Sequence, residues 1–240
     1  MCEVPRAKEA ELDPPSRTFE RRALRIPLRS SVTLEADLCL PAASRGIVLF
    51  AHGSGSSRFS PRNRQVAESL NEAKLATLLV DLLTSDEEAI DERTRELRFD
   101  IDMLADRLVG LTDWLCDCEP AAGLRIGYFG ASTGAGAALV AAAQRPDAVH
   151  AVVSRGGRPD LAGQALERVR APTLLIVGGN DGPVIDMNWQ ALAALHGEKR
   201  LSLVPGATHL FEEPEALGAV SKLALDWFRD HLDPSRSTKK

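Results

Sequence analysis

Short unbroken apolar runs alternate along the chain with longer stretches in which apolar and polar residues recur at helical spacing. The runs are "GIVLFAHG" (46–53), "ATLLVDLL" (76–83), "RIGYFG" (125–130), "AVVSRG" (151–156), "PTLLIVGG" (172–179) and "RLSLVPG" (200–206). Their length is that of strands buried on both faces. Between and after them lie "PRNRQVAESLNEA", "RFDIDMLADRLVGLTDWL", "TGAGAALVAAAQR", "DLAGQALERV", "VIDMNWQALAAL" and "PEALGAVSKLALDWFRDHL", each amphipathic and long enough for a helix. Strand alternating with helix predicts parallel strands joined by crossovers, hence a doubly wound α/β sheet with helices on both faces. The start of the chain departs from this. "FERRALRIPL" (19–28) and "VTLEADLCLP" (32–41), separated by "RSS", alternate in part, as a half-exposed antiparallel edge hairpin does.

Composition narrows the picture. A chain of 240 residues, 44% apolar and 26% charged, suits one α/β domain with a sizeable core rather than a disordered protein. A net charge of −5 and a pI near 5.6 give no footprint for nucleic acid or an anionic membrane as partner. No apolar run approaches the roughly 18 residues of a membrane span, and the start lacks the apolar stretch of a secretory signal. The four cysteines have no metal-ligand or redox spacing. They read as reduced thiols of a cytoplasmic protein. The expected organisation is a flexible segment over 1–18, one domain over 19–232 and a flexible tail over 233–240.

Ligands bind such sheets beyond the C-terminal strand ends, so the chemistry should sit in the loops after the apolar runs. Three loops carry candidates. Ser132 lies in Gly130-Ala131-Ser132-Thr133-Gly134, where a strand meets a helix; it reads as an exposed nucleophile on a sharp elbow or as a helix cap. Asp181 follows "LLIVGGN" and could orient a histidine or cap the next helix. His209, in "LVPGATHLFEEP", could be a base or an ordinary loop residue. Together they stand in the order Ser…Asp…His, each at the same edge of one sheet, as a hydrolytic triad requires. The loop "LFAHGSGSS" adds an oxyanion hole. Its donors are the backbone N–H groups of Ser54 and of Thr133, the latter at a helix N-terminus.

"HGSGSSR", "GASTGAG", "SRGGRPD", "GGNDGPV" and "PGATHLFEEP" resemble the dienelactone-hydrolase-type branch of the α/β-hydrolases over residues 20–232. The resemblance implies about eight mostly parallel strands, a Ser132–Asp181–His209 triad, and cofactor-free hydrolysis of a small carboxylic ester or lactone. Founding members use a cysteine nucleophile where this chain has Ser132, so the resemblance speaks for the fold and triad more than for a dienelactone substrate. Similar sequences also occur joined to a phosphoribosyltransferase domain. An acyltransferase would carry the same triad, and a catalytically idle scaffold that binds a small molecule or partner is the alternative of another class. The segment between "SRG" and "APTLLIV" is about one helix long and leaves no room for a large lid. The acidic stretch "SDEEAIDERTREL" (85–97) is the candidate flap, or else a solvated charged segment. Arg58, Arg155 and Arg158 belong to the same sheet edge. They form either a cationic rim for an anionic ester or lactone, or pins for the loops through Asp160 and the acidic run. Oligomeric state is not written in these patterns.

Overall fold

A computed structural model describes residues 19, 21–28 and 32–235 of the chain. The expected flexible segment 1–18, Glu20, the stretch "RSS" at 29–31 and residues 236–240 of the expected tail lie outside the described residues.

Eight strands form one sheet: β1 (Arg21–Pro27), β2 (Thr33–Cys39), β3 (Ile47–Ala51), β4 (Ala76–Val80), β5 (Ile126–Ala131), β6 (Val149–Arg155), β7 (Thr173–Gly178) and β8 (Lys199–Val204). Their spatial order is β1-β2-β4-β3-β5-β6-β7-β8. β1 pairs antiparallel with β2, and β2 antiparallel with β4; every other pair is parallel. The hairpin therefore sits at one edge, with β1 outermost and largely exposed on alternate residues. The central strands β3, β4, β5 and β7 are buried along their whole length, which is why they read as continuous apolar runs.

Alternation divides the core into two layers. Ile47, Leu49 and Ala51 of β3 face one side, with Tyr128 of β5 and with α3 (Ile101–Asp117) and α4 (Thr133–Gln144). Val48 and Phe50 face the other, with Phe129, α1 (Pro61–Glu72) and α6 (Ala216–Leu232). Each fully buried Val, Leu, Ile or Phe contributes about 1.5–3 kcal/mol relative to exposure, so both layers are needed to hold the sheet. α2 (Ser85–Thr94) follows β4, and α5 (Gly182–Ala194) follows β7. "DLAGQALERV" departs from the expected regular helix. Residues Pro159–Arg168 form 3₁₀ turns broken at Gly163, whose φ of 49° interrupts the spiral. Asp233 is buried and accepts hydrogen bonds from Arg45 and from the Ser235 hydroxyl and N–H; the Ser235 and Arg45 bonds hold its pKa down at about 2.

Candidate active site

Ser132 occupies the joint between β5 and α4. Its φ of 50° and ψ of −121° put a non-glycine residue in a region that L-residues rarely adopt, a strain that functional sites tend to store. The flanking glycines make this joint possible. A Cβ on Gly130 would lie 2.4 Å from Ala135 Cα, and one on Gly134 would lie 2.3 Å from the His52 carbonyl oxygen. Ser132 stands at the N-cap position of α4, yet its side chain makes no capping hydrogen bond. Its backbone is fixed from β6 instead: the Ser132 N–H donates to the Arg155 carbonyl (3.2 Å), and the Arg158 N–H donates to the Ser132 carbonyl (3.0 Å).

Asp181 likewise stands at the N-cap position of α5 without capping it. Its carboxylate accepts a 2.7 Å hydrogen bond from Nδ1 of His209. That bond fixes the tautomer and leaves Nε2 as the ring's basic nitrogen. The two loops are tied together directly. The Asn180 N–H donates to the Ala207 carbonyl (2.9 Å), and the Asn180 side chain to the Gly206 carbonyl (2.9 Å). The His209 loop then reaches the elbow through Gly156, where a Cβ would come within 3.2 Å of the His209 carbonyl and 3.6 Å of its ring Cε1. The same strand end therefore touches both Ser132 and His209. Asp186, one turn into α5, is exposed and has no such bond.

The Gly53–Ser57 loop packs on the elbow, a Cβ on Gly53 falling 3.1 Å from Ser132 Cβ. The Thr133 N–H heads α4, where the first turn leaves donors unsatisfied. Ser54 differs from expectation. Its N–H is not free but donates to the buried Thr133 hydroxyl at 2.8 Å, because a threonine after Ser132 puts an acceptor between the two loops.

Each of the three arginines has partners or burial within the protein. Arg58 is held by Asp81, which accepts from both its N–H and its guanidinium, and by Glu35 and Asp37 of β2. The β2–β4 pairing gathers those carboxylates. Arg158 makes a two-pronged bond to Asp160 (2.9 and 2.8 Å). Arg155 is buried on the α1 and α6 side, near Asn63 and 5.8 Å from the Phe211 ring; burial and then the charge of Arg62 bring its pKa down to about 10.

Other residues of the site lay outside the sequence reading. His52 accepts the Leu82 N–H at Nε2 and donates from Nδ1 to the Gly53 carbonyl, stapling the Gly53–Ser57 loop to the end of β4. Asn188 is a buried polar residue on α5 that donates to the Gly157 carbonyl (3.1 Å) and so holds the strand end beneath Ser132. A histidine ending a buried strand and an asparagine on a helix's buried face were the available signals. Among the described residues no group of His, Cys, Asp or Glu is placed to hold a metal, and no helix is long and apolar enough to cross a membrane.

The geometry has relatives. A crystallised dienelactone hydrolase from Anabaena variabilis is 61% identical, with a TM-score of 0.88 over 90% of this chain and 100% of that one. The esterase Est1E of Butyrivibrio proteoclasticus shares the fold at 16% identity, with a TM-score of 0.72 over 87% of this chain and 98% of its own. A Mycobacterium tuberculosis protein that carries the provisional name phosphoribosyl transferase is 57% identical over 226 residues, 94% of this chain and 49% of the relative. The chain thus spans about half the length of the curated relatives it matches. The dienelactone hydrolase family model matches residues 35–233, and with that match the chain belongs to the dienelactone hydrolase family.

Proposed function

We propose that the protein is a serine hydrolase of small carboxylic esters or lactones, acting through an acyl-enzyme. The hydrogen bond from His209 to Asp181, in the loop that packs against the Ser132 elbow, carries the reading. Asp181 fixes the imidazole with Nε2 as base. Ser132 Oγ attacks the carbonyl carbon while its proton passes to Nε2. The tetrahedral oxyanion is held by the Thr133 N–H and by the Ser54 N–H, which turns to it from the Thr133 hydroxyl. Collapse breaks the bond to the alcohol, which takes the proton from Nε2; in a lactone that alcohol stays attached to the acyl group. Water, deprotonated at Nε2, then attacks the Ser132 ester, releasing the acid and restoring the serine. The name of the M. tuberculosis relatives belongs to proteins twice as long. The family match takes up 35–233 of this chain, and the hydrolase chemistry is what we assign to the shared part.

The test is labelling with a fluorophosphonate, read by intact mass, beside turnover of short-chain p-nitrophenyl esters and small lactones. One adduct on the wild type, none on Ser132→Ala, and loss of turnover in that variant are expected. No adduct, or an adduct that survives Ser132→Ala, would overturn the nucleophile.

A further inference from the structure

A cavity of about 280 Å³ opens beside the elbow, floored by the Gly53–Ser57 loop and Thr133 and walled by Asp81–Leu83 and the α2 segment. That volume suits a small ligand. Its roof is polar. α2 buries only Asp91, and the following 3₁₀ turn (Leu97–Phe99) carries Arg98, which grips Asp91 and brings Nη1 to 3.4 Å from a Cβ position on Gly55.

The charges in the wall are four carboxylates, Asp81, Glu88, Asp91 and Glu92, against one guanidinium, Arg98. Arg98 is taken by Asp91, and Asp81 is matched by Arg58 from behind the loop. Glu88 and Glu92 stand one turn apart on the same face of α2, exposed, with no ion pair among the described residues. The negative field reaches the floor, since Asp81 and Glu88 both pull His52 toward its charged form.

We infer that Glu88 and Glu92 select substrate by charge, so that the cavity takes esters or lactones whose non-reacting part is cationic, tolerates neutral ones and discriminates against anionic ones. The inference rests on the hydrolase reading above and reverses the anionic preference that the arginines suggested from sequence. Two exposed, partly screened carboxylates are worth about threefold each per unit of substrate charge, so a cationic ester should outpace its neutral isostere by about tenfold and its anionic counterpart by about 10²-fold.

The experiment compares kcat/KM for choline butyrate, its neutral isostere 3,3-dimethylbutyl butyrate and the anionic 3-(butanoyloxy)propanoate. Ethyl 4-(trimethylammonio)butyrate, ethyl 5,5-dimethylhexanoate and monoethyl glutarate place the same three charges on the acyl half. At least one set should rank cation over neutral over anion, and the ranking should shrink as salt rises. The double variant Glu88→Gln/Glu92→Gln should slow the cationic ester and speed the anionic one, opposite movements that misfolding cannot produce. Calorimetric titration of both sets onto Ser132→Ala repeats the comparison without catalysis. If wild type turns over no ester but the variant still binds cations best, the hydrolase reading fails and the charge selection stands. Equal affinities, preference for the anion, or no binding of either set overturns the charge selection.

Discussion

Ser132 and Thr133 sit side by side with opposite constraints. Ser132 is strained and leaves its hydroxyl unused by the helix, whereas Thr133 is buried and its hydroxyl receives the Ser54 N–H. The threonine therefore acts as a tie that sets the spacing between two loops, one of which turns a donor toward the substrate in the proposed mechanism. Losing an oxyanion donor outright costs about 10² to 10³ in kcat. Losing only the tie should cost less, about tenfold, since the Ser54 N–H remains. Thr133→Val is expected to lower kcat by that factor with little change in KM, and Thr133→Ser to restore it. Activity in Thr133→Val equal to or above wild type would mean that the hydroxyl merely competes for the donor. At this scale the pairing of Asp181 with His209 and the strand-to-helix joint at Ser132 were legible, because serine, aspartate and histidine each follow an apolar run. The tie was not, since a hydrogen bond between residues 79 positions apart depends on how two loops pack. Nor was the fate of Arg58, whose carboxylate partners meet only when β2 lies beside β4.

Among the elements, α2 is attached by charge rather than by apolar packing. A capping box joins Thr84 and Glu87: the Thr84 N–H donates to the Glu87 carboxylate (2.8 Å), and the Glu87 N–H to the Thr84 hydroxyl (3.3 Å). Arg107 of α3 then grips Glu87 and the Leu82 carbonyl. Burial opposes the charge of Glu87, but the bonds from Arg107 and Thr84 outweigh it and hold the carboxyl below its usual range. Asp91 follows the same pattern, with Arg98 overcoming its burial. Asp91→Asn would leave Arg98 without its counter-charge. Breaking one side of a buried pair costs about 3 kcal/mol or more. Because α2 buries so little else, the loss should appear as local opening. Amide exchange over 85–99 should quicken by about 10²-fold while β3 and β5 keep their protection. Unchanged exchange in α2, or loss spread evenly over the sheet, would show that α2 is anchored elsewhere. The acidic pattern of 85–97 announced a charged segment. Its two faces could not be read, because only the position of Arg98 and Arg107 decides which carboxylates are consumed and which look into the cavity.

For the molecule as a whole, the alternation of apolar runs and helical stretches was enough to foresee a doubly wound sheet with an edge hairpin, since strands buried on both faces admit little else. The insertion of β2 beside β4 left no mark on the local pattern. Across that part of the sheet runs the His52 staple, and it makes stability depend on pH. Nε2 accepts the Leu82 N–H only while the ring is neutral. Burial lowers the pKa of His52, and the opposing pull of the Gly53 carbonyl, Asp81 and Glu88 does not restore it. His150, lowered mainly by its partial burial, adds in the same direction. In the unfolded chain both imidazoles take up a proton near pH 6.5, whereas in the folded chain they resist it. The unfolded state then binds more protons, so stability should be flat above that pH and decline as pH falls through it. Glu87, Asp91 and Asp233, with lowered carboxyl pKa values, add a separate loss only below about pH 4.5, where their unfolded counterparts protonate. Urea unfolding at pH 8, 6.5 and 5 separates the two regimes. Wild type should lose stability between pH 8 and 5, and His52→Gln, which can still accept the Leu82 N–H but does not titrate, should start lower at pH 8 and lose less on the way down. A wild-type midpoint that does not move over that range, or an equal fall in His52→Gln, would show that the staple does not depend on a neutral imidazole.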